Sequence, residues 1–539
     1  MDESLSKVKR LSNTLAQDGR SLKEVLAYKG ISLWWFVEHS IYMSLKDESR
    51  KKSALNRFAP ITTFIITAFF ILRLALRFLV GRCLSGRKSR GTPKIIFCSS
   101  LWHWGEIWGL DPPHVKFGDA ILGNVIDEVS KRGFDAVCID RDDSHKINLG
   151  KLYKKLSKSR GGWKTIESYA SAGMIMESLI WRSKMESAWK KFLEEACENA
   201  SAEERDTIRK IYRDSRVFFS YHALQALVYI NLADRMLSAE DPKALFVAGE
   251  HADSGRAIVA VGRTRGIPTM VIQHGFFAYK NVMYLNDPQE VSDEPSPNAN
   301  PIADMFAVYG PWAKEVLKKF NYPEKRMVIT GQPRYDILAD AKSVFKKENF
   351  YRKFGIGKSA KVVLIATQPF SQRGDSEIFL RNTLKSLRRL KDSKEIEVII
   401  KPHPVENEGW HRSIAEDECV DAKILPKESS IYEALNACDA MVTVHSTTII
   451  EAMILLKPIL TVRLTKAAYE TPYAKKGAVI DVRKREDIAP ALRKVLYDKA
   501  TIERLKKAEK TYVYQHAYRQ DGHATERVAD VLLRLAKGQ

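Results

Sequence analysis

One pattern limits this chain more than any other: short β-branched runs alternate with amphipathic helical stretches, in two successive series. The first series opens with "KIIFCSS" as a strand, "GDAILGNVIDEVSKRG" as a helix and "FDAVCID" as a second strand. After a charged, mostly helical stretch over residues 145–240 it resumes with "KALFVAG", "SGRAIVAVGRTRG", "PTMVIQHG", "MFAVYG" and "RMVITGQPRYD". The second series follows a charged connector and runs through "KVVLIATQPF", "IEVIIKPHP", "DAKILP", "AMVTVHS", "PILTVRL" and "AVIDV". Strand, helix and strand within some fifty residues is the βαβ unit of a parallel sheet. The expected fold class is therefore α/β, with two doubly wound domains facing across a cleft. The predicted boundaries are a helical region over 1–90, a first α/β domain over 91–340 carrying the helical insertion, a second over 341–520 and a terminal helix over 521–539.

The first ninety residues lie outside this alternation. "FAPITTFIITAFFILRLALRFLVG" holds about 15 residues without charge before Arg73, where a span needs about 20. Arg77 follows, and basic residues flank both sides: Lys51, Lys52 and Arg57 before, Arg82, Arg87, Lys88 and Arg90 after. Two basic flanks predict a helix lying in or re-entering a cytoplasmic leaflet rather than a clean span, so the chain is expected on the cytoplasmic side of the cell membrane, monotopic or single-span. Trp34, Trp35 and Tyr42 upstream are residue types that settle at the headgroup level. The opening "MDESLSKVKRLS" is too polar for a cleavable signal. Six scattered cysteines suggest neither a zinc site nor a disulfide framework. A net charge of +21 suits an anionic membrane or phosphorylated substrates. The basic residues are dispersed with no binding module, so nucleic acid is not an expected partner. No G-x-G-x-x-G follows the first strand, which removes a nucleotide-dependent dehydrogenase.

In open α/β sheets ligands bind beyond the carboxyl ends of the strands, so the strand-end loops carry the chemistry. "VTVHSTTIIEAM" places His445 at a strand end and Ser446, Thr447 and Thr448 where a helix begins, a seat for an anion. Glu451, one turn on, is placed to accept sugar hydroxyls; the alternative is a plain capping box from Thr448 to Glu451. In "KPHP" the prolines stiffen the loop, so that His403 faces a phosphate and Lys401 adds charge. Gln368, in "IATQ", belongs to the same edge. In the first series "VIQHGFF" presents His274, an imidazole that needs no tuning to act as a base. Glu250 and Asp253 in "VAGEHADSGR" are the competing catalytic carboxylates, and Glu250 is also a candidate to orient His274. "SSLWHWGEIWGLDPPH" offers His103, Glu106 and Asp111 to an acceptor, and Arg334 in "TGQPRYD" either reaches a donor phosphate or pairs with Asp336.

The "HP" and "HSTTIIEA…KPI" pair resembles the donor motifs of GT-B-type transferases, in particular CDP-glycerol glycerophosphotransferases, capsule sialyltransferases and the related UDP-GlcNAc 2-epimerases. That resemblance implies two Rossmann-like domains, with His403, Ser446 and Thr447 holding nucleotide phosphates and Glu451 on the ribose. "QHG" and "TGQPRYD" resemble two further segments of the glycerophosphotransferases. The sequence departs from them at His445, where those enzymes carry an aspartate-tyrosine pair. The function implied is transfer of a sugar or polyol phosphate from a nucleotide-sugar or CDP-activated donor to a lipid-linked or glycan acceptor. The nucleotide is then a substrate; neither cofactor nor metal is expected. A UDP-sugar 2-epimerase and a non-catalytic glycan-binding scaffold are the rival readings.

Overall fold

The computed structural model of the chain describes residues 3–46, 59–84, 91–141, 148–159, 162–251, 253–275, 284–369, 373–391, 395–426, 429–465 and 472–539. In chain order the strands are β1 (Ala27–Tyr28), β2 (Ile31–Ser32), β3 (Lys94–Ser99), β4 (Trp104–Leu110), β5 (Pro113–Asp119), β6 (Asp135–Asp140), β7 (Trp163–Thr165), β8 (Ala244–Ala248), β9 (Thr269–Ile272), β10 (Met305–Val308) and β11 (Met327–Ile329). They continue with β12 (Lys361–Ala366), β13 (Ile396–Lys401), β14 (Ala422–Ile424), β15 (Ala440–Thr443), β16 (Ile459–Val462) and β17 (Ile480–Val482). A seven-stranded sheet has the order β11-β10-β9-β8-β3-β6-β7, and a six-stranded sheet the order β14-β13-β12-β15-β16-β17. All pairings within both are parallel.

Both sheets are buried on two faces, which is why their strands read as unbroken apolar runs. In β3, Ile95 and Phe97 enter one core while Ile96 and Cys98 enter another on the opposite face. Val363 and Ile365 of β12 alternate in the same way with Val362 and Leu364. The order reverses between β8 and β3 in the first sheet and between β12 and β15 in the second. These switch points open a crevice at the carboxyl edge, and they position the site.

Two elements tie the halves together. The helix Ala524–Ala536 returns to the first sheet, burying Val528 and Leu532 beside Phe97 and Phe246. Its start is held by Asp336, which accepts from the backbone N–H of Ala524 (2.9 Å) and Thr525 (2.7 Å). The second tie is an antiparallel hairpin, β4–β5, in a stretch whose glycines and tryptophans read as a loop after the first strand. Its Trp108 meets the Phe345 ring edge-on at 4.8 Å, and the indole N–H donates to Ser430 Oγ at 3.4 Å.

The N-terminal region differs from expectation in one respect. Trp34, Trp35 and Tyr42 do not sit at a surface: they are at most 3% exposed and belong to the core around the long helix Ala202–Glu240. The apolar stretch does form a helix, Ala59–Leu84, long and apolar enough to cross a membrane. Phe70, Arg73, Leu74 and Arg77 mark its protein-facing side, and Arg77 donates to Asp140 (2.8 Å) and Glu167 (2.9 Å). Ile61, Phe64, Ile65, Phe69 and Leu72 remain exposed on the other side. The arginines thus have protein surroundings, and the helix lies against the first domain along that face. The flanking Lys51, Lys52, Arg57, Arg87, Lys88 and Arg90 lie outside the described residues.

Candidate active site at two facing switch points

On the first sheet the site is built from the ends of β3, β8 and β9. His274 follows β9 and is exposed, with its imidazole over Gly249 at the end of β8. Gly249 has φ +82°, and a Cβ there would stand 2.8 Å from His274 Nδ1, so backbone and ring approach in a way only glycine permits. His103 follows β3; its Nδ1 is 3.1 Å from Ser99 Oγ, and its ring centroid is 6.4 Å from that of His274. Burial lowers the His103 pKa, and nearby Arg141, Lys155 and Arg334 lower it further against the pull of Asp119.

Glu250 and Asp253 take other directions. Glu250 is buried, accepting from Ala303 N–H (3.1 Å) and Tyr322 OH (3.4 Å), beside His251 and Arg256. Burial pushes its carboxyl up to about 7. Its carboxylate thus accepts from Ala303 and Tyr322. Asp253 starts the helix Asp253–Thr264 and pairs with His222 Nδ1 at 2.8 Å. Burial opposes a charge on His222, yet Asp253 raises its pKa overall. Arg141 was not singled out from the sequence. It sits at the end of β6, buried, and donates to Ala248 O (2.5 Å) and Ser254 Oγ (3.3 Å), bracing the turn that carries Gly249. A charged pair closing an apolar strand, Asp140-Arg141, was the only available signal.

The second sheet contributes the ends of β12, β13 and β15. Gln368 bridges the switch point: its Oε1 accepts the His445 backbone N–H (2.9 Å) and its Nε2 donates to His445 Nε2 (2.6 Å). Burial and Arg463 keep the His445 pKa below the usual imidazole value. Ser446 Oγ accepts Thr448 N–H at 3.2 Å, and Thr447 is exposed at the start of the seven-residue helix Thr448–Ile454. His403 is half-buried beside β13, its backbone N–H donating to Glu406 (3.0 Å). Burial lowers its imidazole pKa, against the pull of Glu406 and with help from Lys401. Lys401 is buried, with Nζ on Pro402 O at 3.1 Å. The capping box from Thr448 to Glu451 does not form.

Glu451 instead accepts from Arg334 Nη2 at 2.9 Å, joining the domain junction to the second switch point. Arg334 therefore pairs with Glu451 rather than with Asp336, which is engaged with the last helix. Burial raises the Glu451 carboxyl, and Arg334 draws it back. Of the acceptor candidates, His103 joins His274, and Glu106 lies on β4 directly across from Phe117. Asp111 is at the hairpin tip, 83% exposed, with Lys131 at 3.4 Å, at the opposite end of the hairpin from His103.

A sequence model of the CDP-glycerol:poly(glycerophosphate) glycerophosphotransferase family matches residues 265–534, half of the chain. The chain belongs to that family. It is accordingly a transferase that uses a nucleotide-activated donor, and the matched stretch carries His274, Arg334, Gln368, His403 and Glu451. Among curated protein sequences none matches. A solved UDP-N-acetylglucosamine 2-epimerase superposes with a TM-score of 0.50 at 13% identity, covering 84% of this chain and 98% of its own, which shows the shared fold. The UDP-GlcNAc 2-epimerase of Neisseria meningitidis, bound to UDP-GlcNAc, gives 0.46 at 15% identity, covering 82% and 99%. The wall teichoic acid polymerase TagF gives 0.46 at 12%, covering 90% and 99%.

Proposed function

We propose that this glycerophosphotransferase-family protein moves a polyol phosphate, or a sugar, from its nucleotide donor to a lipid-linked or cell-surface glycan acceptor at the cytoplasmic face of the membrane. The observation that carries the reading is the pair of switch points with Arg334 and Glu451 between them. One switch point presents His103 and His274, the other Gln368, His403, His445 and Ser446.

The donor lies on the second domain, its phosphates among His403, Ser446, Thr447 and Thr448 with Lys401 behind, and Glu451 takes ribose hydroxyls. Gln368 fixes the loop after β15, and Arg334 neutralises charge growing on the departing nucleotide. The acceptor hydroxyl enters on the His103 side, with Glu106 at its margin. His274 takes its proton as the oxygen attacks phosphorus, or the anomeric carbon of a sugar donor, and the nucleotide leaves with the bonding electrons. The Asp253–His222 pair and Glu250 hold the loop around the base. The exposed apolar side of the helix Ala59–Leu84 supports a reading in which this crevice works beside a bilayer.

The test is incubation of the purified protein with radiolabelled CDP-glycerol, or a nucleotide-sugar, and bacterial membranes. Label entering the lipid or polymer fraction together with nucleotide release, and falling at least about 100-fold in His274→Ala, is the expected result. Equal donor consumption with and without membranes would count against transfer.

A further inference from the structure

Beside the His103 end of the crevice lies a surface that the scheme above leaves unused. The helix Leu149–Lys158, "LGKLYKKLSK", has no acidic residue. Its inward side holds Leu152, Leu156 and Lys155, the last paired with Asp140 at 2.6 Å. The outward lysines are different. No carboxylate among the described residues forms an ion pair with Lys151, Lys154 or Lys158; each stands over an aromatic ring. Lys151 Nζ is 6.0 Å from the Trp102 centroid, Lys154 Nζ 5.5 Å from Phe117 and Lys158 Nζ 3.5 Å from Phe117. Trp102 is 68% exposed and immediately precedes His103.

The three cations are spread along about 10 Å of helix at 1.5 Å per residue. The row begins over Trp102, the residue before His103, and continues over Phe117. Among the described residues Glu106 lies across the hairpin from Phe117, and no ion pair joins it to any of the three lysines. Cations carried on aromatic faces keep their N–H donors available to an anion, and the rings supply an apolar floor. Burial and the neighbouring Lys155 lower the Lys151 pKa, a penalty that an incoming anion relieves.

We infer that Trp102, Phe117, Lys151, Lys154 and Lys158 form a binding track for the phosphate-bearing portion of the acceptor, guiding its terminal hydroxyl toward His103 and His274. The inference rests on the proposed transfer reaction, and what it adds is the place on this chain, outside the family-matched stretch, where the acceptor's phosphate is held. The ligand chemistry is a phosphate or diphosphate group, whether carried on a lipid or free.

The test titrates full-length protein with farnesyl pyrophosphate and with inorganic pyrophosphate, separately, by calorimetry. Wild type is compared with Trp102→Ala and with the exposed-surface double variant Lys151→Glu/Lys154→Glu, each checked for an unchanged melting profile. If the double variant melts early, Lys151→Gln/Lys154→Gln replaces it. The expected result is roughly tenfold weaker binding of farnesyl pyrophosphate in the lysine variants, equivalent to about 1.4 kcal/mol for the two charge contacts together. Equal loss with inorganic pyrophosphate assigns the track to the phosphate alone; loss confined to the farnesyl ligand assigns it to a lipid-linked phosphate held partly by Trp102. Unchanged binding of both ligands overturns the inference. So does a lost affinity for phosphatidylglycerol vesicles with normal farnesyl pyrophosphate binding, which would make the patch a membrane contact. Nucleotide binding is followed in the same variants: its absence in wild type would count against the transfer reading without touching the track.

Discussion

Replacing Gly249 by alanine tests the placement of His274 without altering any functional group. Two effects are expected, and they separate. Gly249 has φ +82°, so any side chain adds backbone strain of about 1–2 kcal/mol. The new Cβ would also lie 2.8 Å from His274 Nδ1, whereas ordinary contact begins at 3.4 Å, so the ring must retreat by 3.4 − 2.8 ≈ 0.6 Å. A misplacement of about 1 Å at a reacting group costs roughly 100-fold, so transfer should fall by about 10- to 100-fold. Gly133→Ala is the control: φ is +88° there, with nothing within 4 Å of a Cβ, so it carries the strain without the clash. Nucleotide release from the donor in the presence of acceptor membranes gives the rate, and thermal denaturation gives the stability. Both variants should lose similar stability, only Gly249→Ala should lose rate, and donor affinity should be unchanged in both. Full activity in Gly249→Ala would refute the placement of the base at His274.

Further outcomes follow from buried charge and from the interdomain ties. Glu509 on the helix Lys499–Ala517 is fully buried with neither carboxyl oxygen hydrogen-bonded among the described residues, and burial pushes its pKa up to about 9 from 4.5. An acid with a raised folded-state pKa destabilises progressively as pH rises from the unfolded value toward the folded one. Glu509→Gln should therefore stabilise little at pH 5 and strongly at pH 7.5, with an upper bound of (7.5 − 4.5) × 1.36, or about 4 kcal/mol. A pH-independent effect in chemical denaturation would contradict it. Asp336→Ala removes both carboxylate oxygens that accept backbone N–H groups at the start of the last helix and should cost about 1–2 kcal/mol, read as a lowered denaturation midpoint. Unchanged stability would mean that the helix is not anchored there.

Much of this architecture is legible in the chain because parallel strands buried on both faces must be continuous apolar runs, as β3, β8, β12 and β13 are. The hairpin β4–β5 was not, because Gly105, Gly109 and the Pro112-Pro113 pair carry loop signals, while its anchors, Phe345 and Ser430, are far away in sequence. Trp34 and Trp35 show a second limit. An apolar helical run suits a membrane surface and a protein core equally, and only packing against Trp189 and its neighbours decides for the core. Strand-end histidines and the charged residues near them were visible as sequence features. The pairings were not: Gln368 with His445, Arg334 with Glu451 and Asp253 with His222 are contacts between distant segments. The missing capping box at Glu451 is the clearest instance, since the local pattern was complete and a long-range arginine took the carboxylate instead.

The central claim is a nucleotide-donor site at the β12–β15 switch point, and the most direct measurement is thermal stabilisation of the purified protein by CMP, CDP, UDP and GDP beside His403→Ala. The expected result is a rise in melting temperature with one base, lost in His403→Ala while the unliganded variant melts normally. Stabilisation that is identical in His403→Ala, or none with any nucleotide, would contradict it.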